Sequence, residues 1–223
     1  MSWYSMDVLH LTERNFEHAV GRVTSLLKRG GVVAVPTDTV YGLIADIHRD
    51  DAVRKVFRIK ARSHTKAIPV FVRDIEMAEK YAYVEQELIR QLDELWPGLT
   101  TVVLEKRDAM PHLVTGGAKT VGLRVPGHPF IRALLDRYPN PLTGTSANLS
   151  GSESAQSGLD IQKMFQKHVP RPDMLVDVGI LPPSPSSTVL DMTQPKNPKI
   201  LRAGAITKEQ LGEMLKQWSK VES

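Results

Sequence analysis

The class of this protein is decided by the stretch Gly30-Gly31-Val32-Val33-Ala34-Val35-Pro36-Thr37-Asp38-Thr39-Val40-Tyr41-Gly42-Leu43. Its four-residue apolar run reads as a buried strand. The two glycines ahead of it stop a helix in which Phe16, Ala19, Val20, Val23, Leu26 and Leu27 recur at helical spacing. After Pro36 the chain passes into a polar segment, Thr37 to Leu43, and in open α/β sheets such strand ends are where ligands sit. Helix, buried strand and polar strand end in that order predict an α/β fold.

The same alternation continues in both directions. Asp7 to Leu11 reads as a short first strand. A helix from Asp50 to about Lys60 buries Val53, Val56, Phe57 and Ile59. Ala67 to Val72 reads as a strand in which Pro69 demands an edge or strand-start position. Helices follow at Asp74 to Tyr81 and Glu85 to Trp96, the second ended by Pro97-Gly98. Strands at Thr100 to Leu104 and Thr120 to Val125 flank an irregular stretch, and a helix at Pro129 to Arg137 precedes a strand at Pro141 to Thr145. A surface loop then leads to a helix at Leu159 to Lys167 and short strands at Met174 to Val178, Thr188 to Asp191 and Lys199 to Arg202. Thr207-x-x-Gln210 is a capping box that opens a last helix to about 219, burying Leu211, Met214, Leu215 and Trp218. No repeat or linker interrupts the pattern, so residues 1–223 are expected to form a single α/β domain with a twisted mixed β-sheet flanked by helices.

Composition narrows the chemistry. The 223 residues are 41% hydrophobic and 24% charged, enough apolar material for a sizeable core. Lysine and arginine exceed acids by 29 to 25, a net charge of +4 that fits an anionic ligand or weak nucleic-acid contact. With no cysteine, disulfides, thiolate zinc sites and cysteine nucleophiles are excluded. The start, MSWYSMDVLHL, has no signal pattern and no segment approaches a membrane span, which predicts a cytoplasmic protein.

Familiar loops fail on single residues. Gly116-Gly117-Ala118-Lys119-Thr120 imitates a Walker A end, but Ala118 stands at its second glycine and a strand follows. Gly144-Thr145-Ser146-Ala147-Asn148 resembles a nucleophile elbow until Asn148 replaces the last glycine. None of the seven histidines has a catalytic or zinc-ligand spacing, and they read as surface or structural groups.

Two stretches remain. Lys60-Ala61-Arg62, with Lys66, ends a helix, where cations complement the helix dipole or concentrate charge on a triphosphate. Ser146 and Asn148 sit in a loop of small polar residues that either caps the next segment or meets phosphate and adenine edges. Arg124 and Arg202 each stand where a strand becomes a loop.

Seven segments in order resemble the YrdC-like domain of threonylcarbamoyl-AMP synthases. They are Pro36 to Leu43, Lys60-Ala61-Arg62, Trp96 to Thr100, Gly122 to Pro129, Ser146 to Gly151, Ser187-Thr188-Val189 and Leu201 to Gly204, so the core motifs span 31–204. The resemblance implies a twisted sheet with a basic concave face. It also implies a nucleotidyltransferase that makes threonylcarbamoyl-AMP and pyrophosphate from L-threonine, bicarbonate or CO2, and ATP with Mg2+. The product serves threonylcarbamoyladenosine formation in tRNA through a downstream threonylcarbamoyl transferase.

By motif matching, Lys60 and Arg62 are the catalytic pair. The ATP side comprises Lys60, Arg62, Lys66, Thr120, Ser146, Asn148, Ser154 and Arg202, and the threonine side Thr39, Arg124, Gly144 and Ser187, with no metal ligand from the protein. Ser63-His64-Thr65 departs from the proline that follows the arginine in many relatives, and Phe71 stands where some carry histidine. The additional C-terminal domain of longer relatives is not expected. The competing readings are a double-stranded RNA or tRNA-binding module without catalysis, and a carbamoyl-transfer maturation enzyme built on the same domain.

Overall fold

A computed structural model of the chain describes residues 6–215. Its eleven strands form two mixed sheets. The first is ordered β1 (Asp7–His10), β9 (Met174–Asp177), β2 (Val33–Val35), β3 (Gly42–Ile44) and β8 (Thr145–Ser146). The second runs β11 (Lys199–Arg202), β10 (Thr188–Asp191), β5 (Thr100–Glu105), β6 (Thr120–Arg124), β4 (Val70–Phe71) and β7 (Leu142–Thr143). The α/β class with mixed pairing stands, with its strands divided between two sheets.

The apolar run at Val32 is buried on both faces, which is why it does not alternate. Val32 and Ala34 join one core cluster with Val53, Val56 and Phe57 of α2 (Asp50–Ile59) and Leu88 and Leu92 of α4 (Gln86–Leu95). Val33 and Val35 join the other, with Ala19, Val20 and Val23 of α1 (Phe16–Lys28) and Phe130 and Leu134 of α6 (Pro129–Arg137). Helices α3 (Ile75–Tyr81), α5 (His112–Thr115), α7 (Gly158–Phe165) and α8 (Lys208–Met214) complete the described α-helices. Both halves of the Thr207 and Gln210 capping box form at the start of α8. Trp218 and the expected extension of this helix to 219 lie outside the described residues. No described helix is long and apolar enough to cross a membrane.

Three differences from the sequence expectations bear on the site. The segment after Pro36 does not stay a loop: Gly42–Ile44 turns back as β3, antiparallel to β2 with Val33 opposite Ile44. Three residues are too few to show a period. Second, the strand expected over Ala67 to Val72 is only Val70–Phe71, an interior strand between β6 and β7; Pro69 lies just ahead of it, the strand-start one of the two positions expected.

Third, the strand expected from Pro141 to Thr145 breaks at Gly144, with β7 in one sheet and β8 in the other. Gly144 is the crossing point, its N–H donating to Pro69 O at 2.7 Å. A Cβ there would lie 2.6 Å from the buried Phe71 ring, close enough that ring or backbone must shift. Gly144→Ala is therefore expected to cost about 1–3 kcal/mol through overpacking. Thermal denaturation checks it, and adding Phe71→Leu should return most of the loss.

Candidate active site

A cleft of about 180 Å³ opens where the two sheets meet. The first sheet contributes Gly42, Thr145 and Ser146, with Thr37, Thr39 and Val40 from the β2–β3 loop; the second contributes Phe71, Arg124 and Arg202. Arg62, Ala67, Pro69, Gly144, Ser186 and Ser187 complete the lining. The structure thus brings Thr39, Arg62, Arg124, Gly144, Ser146, Ser187 and Arg202 around one space.

Lys60 and Arg62 are separated by Ala61, a non-glycine residue in the left-handed region at φ 47°. That turn sends the two side chains different ways. Lys60 goes inward: it is 2% exposed, and Nζ donates to Ser146 O at 2.5 Å, Asn148 O at 2.9 Å and Asn148 Oδ1 at 3.0 Å. Burial, reinforced by the Arg62 guanidinium, pulls its pKa down to about 7. The three acceptors match the three N–H bonds of the ammonium form. Lys60 is therefore engaged with the protein behind the cleft instead of facing the space itself, and it clamps the end of α2 to the 146–148 loop.

Asn148 is equally committed. Its Oδ1 also accepts from Ser146 Oγ at 2.6 Å, and its Nδ2 donates to Ser152 O. With Ser150 N–H donating to Lys60 O at 2.9 Å, the loop is a built structure whose Ser146 edge faces the cleft.

The three cleft arginines differ in kind. Arg124 is buried and paired: Nη2 donates to Asp38 Oδ1 at 2.6 Å, Nε to Gly98 O at 2.8 Å and Nη1 to Thr39 Oγ1 at 3.3 Å. Arg62 and Arg202 have no salt bridge to a carboxylate among the described residues. Arg62 spends Nη2 on Ala67 O, and its buried Nε has no partner. Arg202 donates to Ser187 O at 2.6 Å. Burial lowers the pKa of both, and repulsion from Arg62 lowers that of Arg202 further. Two like charges gathered without a counter-charge form a site for an anion.

Ser187 is fixed from the other side, sharing a 2.8 Å hydrogen bond with Thr101 Oγ1. Lys66, Thr120 and Ser154 are not in the lining. Lys66 is exposed on the turn after α2. Thr120 lies at the far end of β6, roughly 13 Å along the strand from Arg124. Ser154 is half-buried in the loop whose Ala155 O accepts the Tyr41 N–H at 3.1 Å.

The Sua5, YciO and YrdC family model, described as telomere recombination, matches residues 25–204. This chain belongs to that family. It is 37% identical to a putative threonylcarbamoyl-AMP synthase of Methanocaldococcus jannaschii over 86% of this chain and 88% of the relative. It is 29% identical to the threonylcarbamoyl-AMP synthase of Pyrococcus abyssi over 93% of this chain, but spans only 60% of that protein's length. The solved structure of P. abyssi Sua5 complexed with L-threonine superposes with a TM-score of 0.86 at 30% identity, covering 94% of this chain and 61% of that one.

Within the Sua5/YciO/YrdC fold, two local departures now have a physical setting. Ser63-His64-Thr65 closes a turn, with Ser63 and Thr65 hydroxyls 2.8 Å apart and the Lys66 N–H on Ser63 O. Phe71 puts an aromatic wall in the cleft, its centroid 5.9 Å from the Arg124 guanidinium. Sequence reasoning passed over Asp38, Thr37 and Thr101, which organise Arg124, Thr39 and Ser187. The only available signal was their position at strand ends: Asp38 and Thr37 stand in the polar run after β2.

Proposed function

We propose that this protein is an L-threonylcarbamoyladenylate synthase acting in threonylcarbamoyladenosine formation for tRNA. The observation that carries the reading is one cleft holding two guanidiniums without a counter-charge, Arg62 and Arg202, and one oriented by a carboxylate, Arg124. A polyanion suits the first two and an amino-acid carboxylate the third.

In this reading the threonine amine adds to CO2, forming the N–C bond and releasing a proton. The carbamate oxygen then attacks the α-phosphorus of ATP, forming an O–P bond as the bond to the pyrophosphate oxygen breaks. Neither step needs a covalent enzyme intermediate. Arg62 and Arg202 neutralise the phosphates, and Ser146 and its loop, held by Lys60 and Asn148, shape that end. Lys66 and Ser154, outside the cleft lining, meet the nucleotide only where it extends beyond the cleft, and Thr120 stays remote from the reacting atoms. Arg124, Thr39 and Ser187 hold the amino acid against Gly144. The acceleration comes from positioning and fixed positive charge.

Among the described residues no group of three or more His, Asp or Glu could hold a metal ion. Mg2+ enters with the ATP phosphates in this reading, as its preference for water and phosphate oxygens favours. The product passes to a separate threonylcarbamoyl transferase in the cytoplasm, and direct tRNA contact is weak.

Pyrophosphate release from ATP and bicarbonate with each candidate amino acid tests the proposal. Threonine-dependent release is expected. Salt-sensitive binding of structured RNA without turnover would replace it with the RNA-binding reading.

A further inference from the structure

We propose that Asp38 is a positioning residue that sets the plane of the Arg124 guanidinium and thereby the docking of the amino-acid carboxylate; this rests on the function proposed above. Of the three cleft arginines, only Arg124 has an acidic partner among the described residues. The pair is enclosed, with side chains 4% and 16% exposed. Asp38 uses one oxygen for Arg124 Nη2 at 2.6 Å and the other for the Gly127 backbone N–H at 2.8 Å. It is thus pinned between the β2–β3 loop and the turn after β6, two segments 89 residues apart in sequence.

The geometry fixes Arg124 on three sides. Nε is held by Gly98 O, Nη2 by Asp38, and Nη1 by Thr39 Oγ1 at 3.3 Å, while the Phe71 ring lies 5.9 Å from the guanidinium carbon. A guanidinium pinned on Nε and Nη2 cannot rotate about its long axis, so its remaining capacity points at the cleft that Thr39 and Arg124 both line. Lysine in the same place would carry the charge without the plane. Asp38 is not itself part of the cleft lining, and its side-chain hydrogen bonds go to Arg124 and Gly127, which separates its role from that of Arg124 and Thr39.

Two readouts test this. In 15N spectra, the Nε–H of Arg124, identified by its loss in Arg124→Lys, should exchange slowly with solvent. In Asp38→Asn that protection should disappear, and the KM for L-threonine should rise by about 10- to 100-fold, as misplacement of a binding group does, while kcat falls much less. Asp38→Glu keeps the charge but displaces it by one methylene; it should also raise KM and speed the exchange, and it carries both measurements if Asp38→Asn does not fold. Wild-type exchange or wild-type KM in Asp38→Asn overturns the proposal. So does wild-type behaviour of Asp38→Glu beside a damaged Asp38→Asn, because charge alone would then suffice. If the unaltered protein releases no threonine-dependent pyrophosphate, the synthase reading fails, and the Nε–H exchange alone decides the role of Asp38.

Discussion

Replacing Arg62 with alanine is expected to lower threonine-dependent pyrophosphate release by about 10²–10³-fold while leaving the fold as stable as before. The activity loss follows from removing a fixed donor aimed at developing charge in a confined site. The stability argument is separate. Among the described residues the Arg62 side chain has a single hydrogen bond, to Ala67 O, a buried Nε with no partner, and a like-charged neighbour in Arg202. Without an anion bound, its charge is a cost to the folded state, so the thermal midpoint should not fall. Arg62→Lys should recover part of the activity, since a point charge without the planar fork neutralises phosphate but does not orient it. An Arg62→Ala protein with full threonine-dependent pyrophosphate release would remove Arg62 from phosphate binding. One that unfolds would show the guanidinium to be structural.

Lys60→Met should be nearly as damaging to turnover for a different reason. The substitution leaves Ser146 O, Asn148 O and Asn148 Oδ1 without their shared donor. The Ser146 edge of the cleft then moves, and a displacement of about 1 Å is worth about 10²-fold in rate. The stability cost should be much smaller than three lost hydrogen bonds suggest. Each is worth about 1 kcal/mol net, but the variant also removes a buried charge whose desolvation opposes folding. A net change of about 2 kcal/mol or less is expected, together with faster amide exchange in the 146–152 loop.

The pH dependence distinguishes these contributions. The folded pKa near 7 is below the ordinary lysine value of 10.5, so between the two the unfolded chain binds more protons. The unfavourable contribution of Lys60 is complete below about pH 7 and fades as pH rises toward 10.5. Relative to Lys60→Met, the unaltered protein should therefore gain stability as pH rises through that window. Denaturant melts at several pH values check it, and a constant difference would mean that Lys60 titrates normally.

Helices with strong apolar periodicity were legible from the chain itself, α6 at Pro129–Arg137 to the residue. Very short elements were legible only in part: the strands read at Ala67 to Val72 and Pro141 to Thr145 contain β4 and β7, whereas β3 was not read and the separation of β8 from β7 was not seen. The three residues of β3 and the two each of β4, β7 and β8 owe their state to partners far away in sequence, such as Leu43 opposite Thr145. The candidate site was legible in part. Thr39, Arg62, Arg124, Gly144, Ser146, Ser187 and Arg202 could be named from ordered motifs, and all line one cleft. The partners that orient them could not be, because Asp38 and Thr101 acquire a task only when Arg124 and Ser187 are folded against them.

By itself the run Gly30 to Leu43 determined the α/β class, because an unbroken apolar strand ended by a polar turn has to be covered on both faces. Composition likewise excluded thiol chemistry outright. Only the tertiary structure decided that the strands divide between two sheets at Gly144, that Lys60 turns inward while Arg62 lines the cleft, and that one arginine of three is neutralised. The reason is common to all three. Local pattern records which residues must leave water, whereas the directions of Lys60 and Arg124 depend on acceptors, Ser146 O and Asp38, that lie 86 residues away.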